Sequence, residues 1–240
     1  MRADPENRAP ASQPQAATST ADETDLVRRA RNGDEAAVRE IIRRNNQRLF
    51  RAARGLLDSD HEAEDVVQEA YVKAFTRLDG FDGRAALSTW LTRIAVNAAL
   101  SRLRKRRPTA DLEAIDMHAN QNGGQILPFP SNPPDPEASA ARAEARRFIE
   151  QALNGLPAAF RLVFILRDVQ GLTTEEAAEA MGVKPQTVKT RLFRARRLIR
   201  EAIDGSLEAG FSGLYPFDGA RCANLADRVV AALRTEGRLS

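Results

Sequence analysis

Apolar residues recur along this chain with the period of an amphipathic helix. The clearest stretch starts near Glu62, where Val67, Ala70, Tyr71, Ala74, Phe75 and Leu78 fall at i, i+3, i+4, i+7, i+8 and i+11. A preceding helix is predicted from about Glu35 to Leu57, through Val38, Ile41, Ile42, Leu49, Ala52 and Ala53, and an earlier one starts near Asp25. Asp79-Gly80 and Asp82-Gly83 stop the third. A fourth begins with Ser88 as its cap and runs to about Arg106, with Leu87, Leu91, Ile94, Ala95 and Ala98 facing inward.

The pattern then lapses. Residues 108 to 141 hold seven prolines or Gly-Gly signals and few apolar anchors, which reads as a flexible linker between two domains. Helical periodicity resumes near Ala138, breaks at Gly155 and Pro157, and continues through Leu162, Val163, Ile165 and Leu166. Thr173-Thr-Glu-Glu176 is a capping box, Met181-Gly-Val183 a tight turn, and Pro185 the first position of the next helix. That succession is a helix-turn-helix. The expected architecture is all-α: an irregular tail (1–22), a helical domain (23–107), the linker (108–141), a helix-turn-helix domain (142–204) and a C-terminal extension (205–240). The extension contains Phe211, Tyr215 and Phe217 and a helix with Leu225, Val229 and Leu233, and no role is read for it.

Charge changes the picture. The net charge of +3 over 240 residues hides segregation. Asp58 to Glu69 carries −6, Arg93 to Arg107 carries +6, and Lys184 to Arg200 carries +7. Two basic blocks at the ends of two helical units point to a polyanion held at two places. With one cysteine and two histidines, neither a disulfide nor a zinc site is expected, and no catalytic motif is present, so no enzyme, metal or cofactor is expected. Asp58, Asp60, Glu62, Glu64 and Glu69 match calcium-loop spacing, but Ala63 stands where that loop needs glycine. No apolar run approaches the roughly 18 residues of a membrane span and no signal peptide is visible, so a cytoplasmic protein is expected.

Three surfaces follow from the helical wheels. On the second helix of the helix-turn-helix, Val188, Leu192 and Ala195 face inward, leaving Gln186, Thr187, Lys189, Thr190, Arg191 and Arg194 outward with groups suited to base edges, and Arg196, Arg197 and Arg200 toward phosphates. On the fourth helix Arg93, Asn97, Leu100 and Arg104 line up with Trp90 nearby, a stripe that can hold a splayed single strand. On the third, Asp65, Gln68, Glu69 and Val72 form an acidic face with an apolar member, fit for a protein partner.

Taken in order, Asp65-Val-Val-Gln-Glu-Ala-Tyr71, Phe81, Ser88-Thr-Trp-Leu-Thr-Arg-Ile-Ala-Val-Asn97, Gly171-Leu-Thr-Thr-Glu-Glu-Ala-Ala and Thr187-Val-Lys-Thr-Arg-Leu-Phe-Arg-Ala-Arg196 resemble the group IV, or extracytoplasmic-function, sigma factors of bacterial RNA polymerase. The segment around Ala114-Ile115 and Gly123-Gly124 resembles the sigma-E-like branch. The resemblance covers roughly residues 23 to 204 and implies sigma region 2 and region 4 domains. It implies that Asp65, Gln68, Glu69 and Val72 bind the clamp helices of the largest polymerase subunit, and that the second domain touches the flap of the other large subunit. It implies that Phe81, Trp90, Arg93, Asn97 and Arg104 capture the melted −10 element. It also implies that Gln186, Thr187, Lys189, Thr190, Arg191, Phe193 and Arg194 read the −35 duplex. An anti-sigma factor is an implied partner. Ser101 departs from the pattern, since many relatives carry aspartate there. Two rival functions remain: a sigma mimic that titrates an anti-sigma factor, and an ordinary helix-turn-helix repressor. The basic stripe and the acidic partner face, respectively, argue against them.

Overall fold

The computed structural model describes residues 16–106, 149–202, 215–217 and 219–239, and among these no strand occurs. The N-terminal set comprises α1 (Ala16–Arg31), α2 (Glu35–Arg54), α3 (Asp60–Thr76) and α4 (Leu87–Arg106), with a 3-10 turn at Leu78–Gly80. After helical residues 149–154 come α5 (Ala158–Phe164), a wider π-type turn over Ile165–Val169, α6 (Thr174–Met181) and α7 (Pro185–Ala202). A last helix, α8, spans Gly219–Thr235. The expected linker at 108–141 and residue Phe211 lie outside the described residues.

The helix ends follow local chemistry. Asp34 sits extended ahead of α2 and accepts hydrogen bonds from the Ala36 and Ala37 amides, while the Arg29 guanidinium, the strongest influence on it, holds its carboxyl below the usual range. Both bonds of the capping box at α6 are made, the Glu176 amide to the Thr173 hydroxyl at 3.1 Å and the Thr173 amide to the Glu176 carboxylate at 2.7 Å. Gly182 closes α6 at φ +65°, where a side chain would be strained. Pro185 opens α7.

Several boundaries differ from the sequence reading: α2 ends at Arg54 rather than near Leu57, and α3 starts at Asp60 rather than near Glu62. α1 starts at Ala16, inside the stretch read as an irregular tail. Alanines favour helix there, and Asp22 anchors the segment by pairing with Arg44 of α2. α4 starts at Leu87 rather than after a Ser88 cap, because the Glu23 carboxylate of α1 accepts the Leu87 amide at 3.0 Å.

The N-terminal core gathers the inward faces of α2, α3 and α4, with Ile41, Ile42, Leu49, Phe50, Tyr71 and Leu91 at no more than 1% exposure. The Tyr71 hydroxyl donates to the Ile42 carbonyl at 3.3 Å, and burial raises its phenol pKa well above the ordinary value.

The two helical sets form as the sequence predicts, and they also pack against each other. α6 lies on α4, and the π-type turn lies on α2. Arg161 of α5, 3% exposed, donates to the Gly55 carbonyl at 3.0 Å and pairs with Asp58 at 2.8 Å. Gln170 donates to the Arg48 carbonyl at 2.8 Å. Gly55 is needed here for space, not for its backbone angles: a β-carbon on it would lie 3.2 Å from the Leu162 α-carbon and 3.2 Å from Ile165 Cδ1. α8 packs on α2 and α3, so the C-terminal extension is part of the N-terminal core.

Candidate nucleic-acid and partner interfaces

α4 is buried around most of its circumference, since α2 and α3 cover one side and α6 another. One exposed strip remains, carrying Arg93, Asn97, Ser101 and Arg104. Trp90 and Phe81 flank it half-buried, their rings tilted at 52° with centroids 5.4 Å apart. The expected stripe therefore forms, with one correction: Leu100, read as outward, is 4% exposed. The buried arc of α4 is wider than one apolar stripe, because three helices pack on it. Arg93 is already engaged, pairing with Glu179 of α6 at 3.3 Å.

On α7 the outward arc holds Gln186, Lys189, Thr190, Phe193, Arg194, Arg196, Arg197 and Arg200, all exposed, with Thr187 half-buried at its edge. Phe193 is 70% exposed, an aromatic ring left among cations and amides. The Thr190 hydroxyl donates back to the Gln186 carbonyl at 3.0 Å.

Arg191 corrects the sequence reading: it is 1% exposed. At 3.6 residues per turn it lies about 60° from Val188 and about 40° from Ala195, on the flank of the buried stripe. The half-buried Thr187 and Leu198 lie on that same flank, so the buried arc is wider than three apolar positions indicate. Arg196 is also committed within the protein. Its guanidinium makes paired bonds of 2.8 and 2.6 Å to Asp168, and these raise its pKa further above the ordinary value.

The acidic face of α3 borders an open groove of about 590 Å³, lined by Asp65, Gln68, Glu69, Val72, Lys73, Thr76, Arg77, Arg102 and Glu236. All four expected partner residues meet there. Val72 and Gln68 are half-buried, and Arg102 of α4 lies 3.9 Å from Asp65 and 3.8 Å from Glu69. The calcium-like spacing upstream serves another purpose, because Asp60 and Glu64 are paired by arginines: Arg54 and Arg221 on the first, Arg221 and Arg228 on the second.

Comparison with known proteins places these surfaces. Residues 41–109 match the family Sigma-70 region 2, and residues 147–199 match Sigma-70, region 4. The ECF RNA polymerase sigma-E factor of Escherichia coli (strain K12) is 36% identical over 186 residues, covering 76% of this chain and 93% of that protein. This chain belongs to the extracytoplasmic-function sigma factors. ECF RNA polymerase sigma factor SigW of Bacillus subtilis (strain 168) is 29% identical over 184 residues, 74% of this chain and 94% of its own. Among solved structures, CnrH in complex with the cytosolic domain of CnrY aligns with a TM-score of 0.52 at 26% identity, covering 75% of this chain and 95% of CnrH.

As a sigma factor of this type, the protein is an alternative transcription initiation factor that binds core RNA polymerase and promoter DNA. The basic strip and the acidic groove fall in region 2, and the cationic arc falls in region 4. Among the described residues no helix is long and apolar enough to cross a membrane. Sequence reasoning missed Arg161 and Gly55, whose roles arise only from long-range contact. It also missed Tyr215 and Phe217, although their clustering was a visible signal.

Proposed function

We propose that the three surfaces divide promoter recognition among them. Gln186, Thr187, Lys189, Thr190, Phe193 and Arg194 read the −35 duplex in the major groove, with Arg197 and Arg200 on phosphates. Phe81, Trp90, Arg93, Asn97 and Arg104 receive unstacked bases of the −10 element. Asp65, Gln68, Glu69 and Val72 dock on the clamp helices of the largest subunit, and region 4 meets the flap of the other. The observation that carries this is the exposed arc of α7, a row of cations and amides around a 70% exposed phenylalanine on the second helix of a helix-turn-helix. An exposed aromatic gains little from water but can rest on a thymine methyl.

The domain limits follow the same division: region 2 over 23–107, a linker over 108–141, region 4 over 142–204. We place the factor in the cytoplasm, acting as a non-enzymatic specificity subunit. An anti-sigma factor is a further partner in this reading, and CnrH, a similar chain, is held by the cytosolic domain of another protein.

Run-off transcription with purified core polymerase on a genomic promoter library tests the whole, and no factor-dependent transcript overturns it. Gln68→Arg with Glu69→Arg tests the docking face. Both side chains reach the solvent-facing groove, so the variant should keep its helicity while its affinity for core falls at least about tenfold. Unchanged co-purification with core refutes the assignment.

A further inference from the structure

We propose that residues 215–217 and 219–239 form a built-in competitor of core polymerase: a clasp that holds region 4 against region 2 and shuts the docking groove along one side. The inference rests on the reading that the groove at Asp65, Gln68, Glu69 and Val72 docks the polymerase.

The clasp begins at Tyr215-Pro216-Phe217, which bridges both regions. On the region 4 side, the Tyr215 hydroxyl donates to Asn154 Oδ1 at 2.8 Å and its amide donates to Glu150 at 2.9 Å. On the region 2 side, Gln47 of α2 donates to the Tyr215 carbonyl at 2.6 Å and accepts the Phe217 amide at 2.8 Å. The Phe217 ring stacks on Phe50 at 4.4 Å, and the Arg54 guanidinium lies 4.7 Å from the centre of the Tyr215 ring. Both aromatics are at most 4% exposed. Tyr215 adopts φ +46°, a conformation costly for a bulky residue, so the surrounding contacts must over-determine it. Backbone strain held by contacts on two separate regions is what a releasable junction needs.

α8 then runs along region 2. Its apolar stripe of Leu225, Val229 and Leu233 is buried on α2 and α3. Its flanks are ionic: Arg221 meets Glu64 at 2.6 Å and Asp60 at 3.2 Å, and Asp227 meets Arg39 at 2.6 Å. Past its end, Arg238 donates to the Thr76 carbonyl at 3.0 Å and Glu236 lines the docking groove. A polymerase helix settling on α3 therefore meets the residues just past α8, including a carboxylate added to a face already acidic. The same state keeps α6 on α4 and Arg93 paired with Glu179, whereas two separated promoter elements require the regions to part. The E. coli relative is matched over 93% of its length by 76% of this chain, so much of the remaining quarter is an addition to the shared scaffold.

A ligand that binds only the open state loses apparent affinity in proportion to the closed fraction. The test measures affinity for core polymerase with three proteins: the full chain, the full chain carrying Phe217→Ala and Arg221→Ala, and a chain ending at residue 214. Arg221 is chosen because it also lies 5.0 Å from the centres of the Phe50 and Phe217 rings. The expected result is binding at least about tenfold tighter for both altered proteins, reversed for the truncated one by adding a synthetic peptide of residues 215–240. Equal or weaker binding by the full-length double variant, with helicity retained, overturns the proposal even if the truncated chain fails to fold. A peptide that binds the truncated chain without displacing polymerase also overturns it. Failure of all three proteins to bind core overturns the docking reading itself, a distinct outcome.

Discussion

Replacing Gly55 by alanine sets two effects of opposite sign against each other at one atom. Gly55 ends α2 with right-handed helical angles, φ −61° and ψ −24°, so alanine fits the backbone and should gain about 0.4–1 kcal/mol by restricting the unfolded chain. Against this, the new β-carbon would sit 3.2 Å from both the Leu162 α-carbon and Ile165 Cδ1. Carbon atoms prefer about 3.5–4.0 Å. The Ile165 methyl can rotate away, but the Leu162 α-carbon belongs to a helix buried from Ala159 to Phe164 and can yield only if α5 retreats. Retreat lengthens the 3.0 Å bond from Arg161 to the Gly55 carbonyl as well. Overpacking of this kind costs about 1–3 kcal/mol, so the loss outweighs the gain by roughly 1–2 kcal/mol. The net loss falls on the junction between regions and not on the middle of α2. Hydrogen exchange read by mass spectrometry separates them. Amides of α5 and α6 should exchange roughly 5–30 times faster, and those in the middle of α2 should not. Unchanged or slower exchange in α5 and α6 refutes the reasoning, because the junction would then have room for the methyl group.

Two further predictions concern single side chains. Arg194→Ala should remove about 1–3 kcal/mol of discrimination between −35 sequences while leaving the melting temperature unchanged; equal loss on every sequence reassigns Arg194 to a phosphate. Arg191→Ala, at a position 1% exposed, should instead lower stability by about 1–3 kcal/mol, and a base-specific loss with stability intact would return Arg191 to the DNA. Tyrosine titration tests the buried state of the extension. The chain has two tyrosines; burial pushes Tyr215 up to about 12 and Tyr71 well above its ordinary 10. A folded pKa above the unfolded one favours the neutral form, so this stabilisation is complete below about pH 10 and is lost as pH rises through the folded values. At pH 11 the native protein should show roughly a tenth of the Tyr215 tyrosinate absorbance, against about nine-tenths for an unfolded tyrosine. A native transition centred near 10, with helicity intact, would mean that Tyr215 is not clasped.

Much of this was legible locally. Capping boxes, prolines at first helical positions and glycines past the last turn report on their own few residues, so both ends of α6 and the start of α7 follow directly from Thr173, Glu176, Gly182 and Pro185. The acidic groove and the basic strip were legible because period and charge coincide on α3 and α4. What failed has two causes. Arg191, Leu100 and the start of α4 were each decided by atoms far along the chain, or by a buried arc wider than the apolar residues mark. Helical period says which face is apolar, but not that a second layer covers the opposite side.

The same limit explains why the extension looked like an appendix. Its helix has an ordinary amphipathic stripe, and its two aromatics carry no sign of a destination. Yet Gln47, Phe50 and Arg54, which receive Tyr215 and Phe217, all lie on α2 and also help form the region 2 core or its boundary with region 4. Arg54 shows the economy of the arrangement. It is 6% exposed, ion-pairs with Asp60, donates to the Leu57 carbonyl and lies over the Tyr215 ring. The turn that launches α3, and with it the proposed docking groove, therefore shares a buried cation with the clasp. Release of Tyr215 uncovers one face of that guanidinium to water without removing Asp60 or the Leu57 carbonyl, so the turn into α3 keeps its buried cation when the clasp leaves.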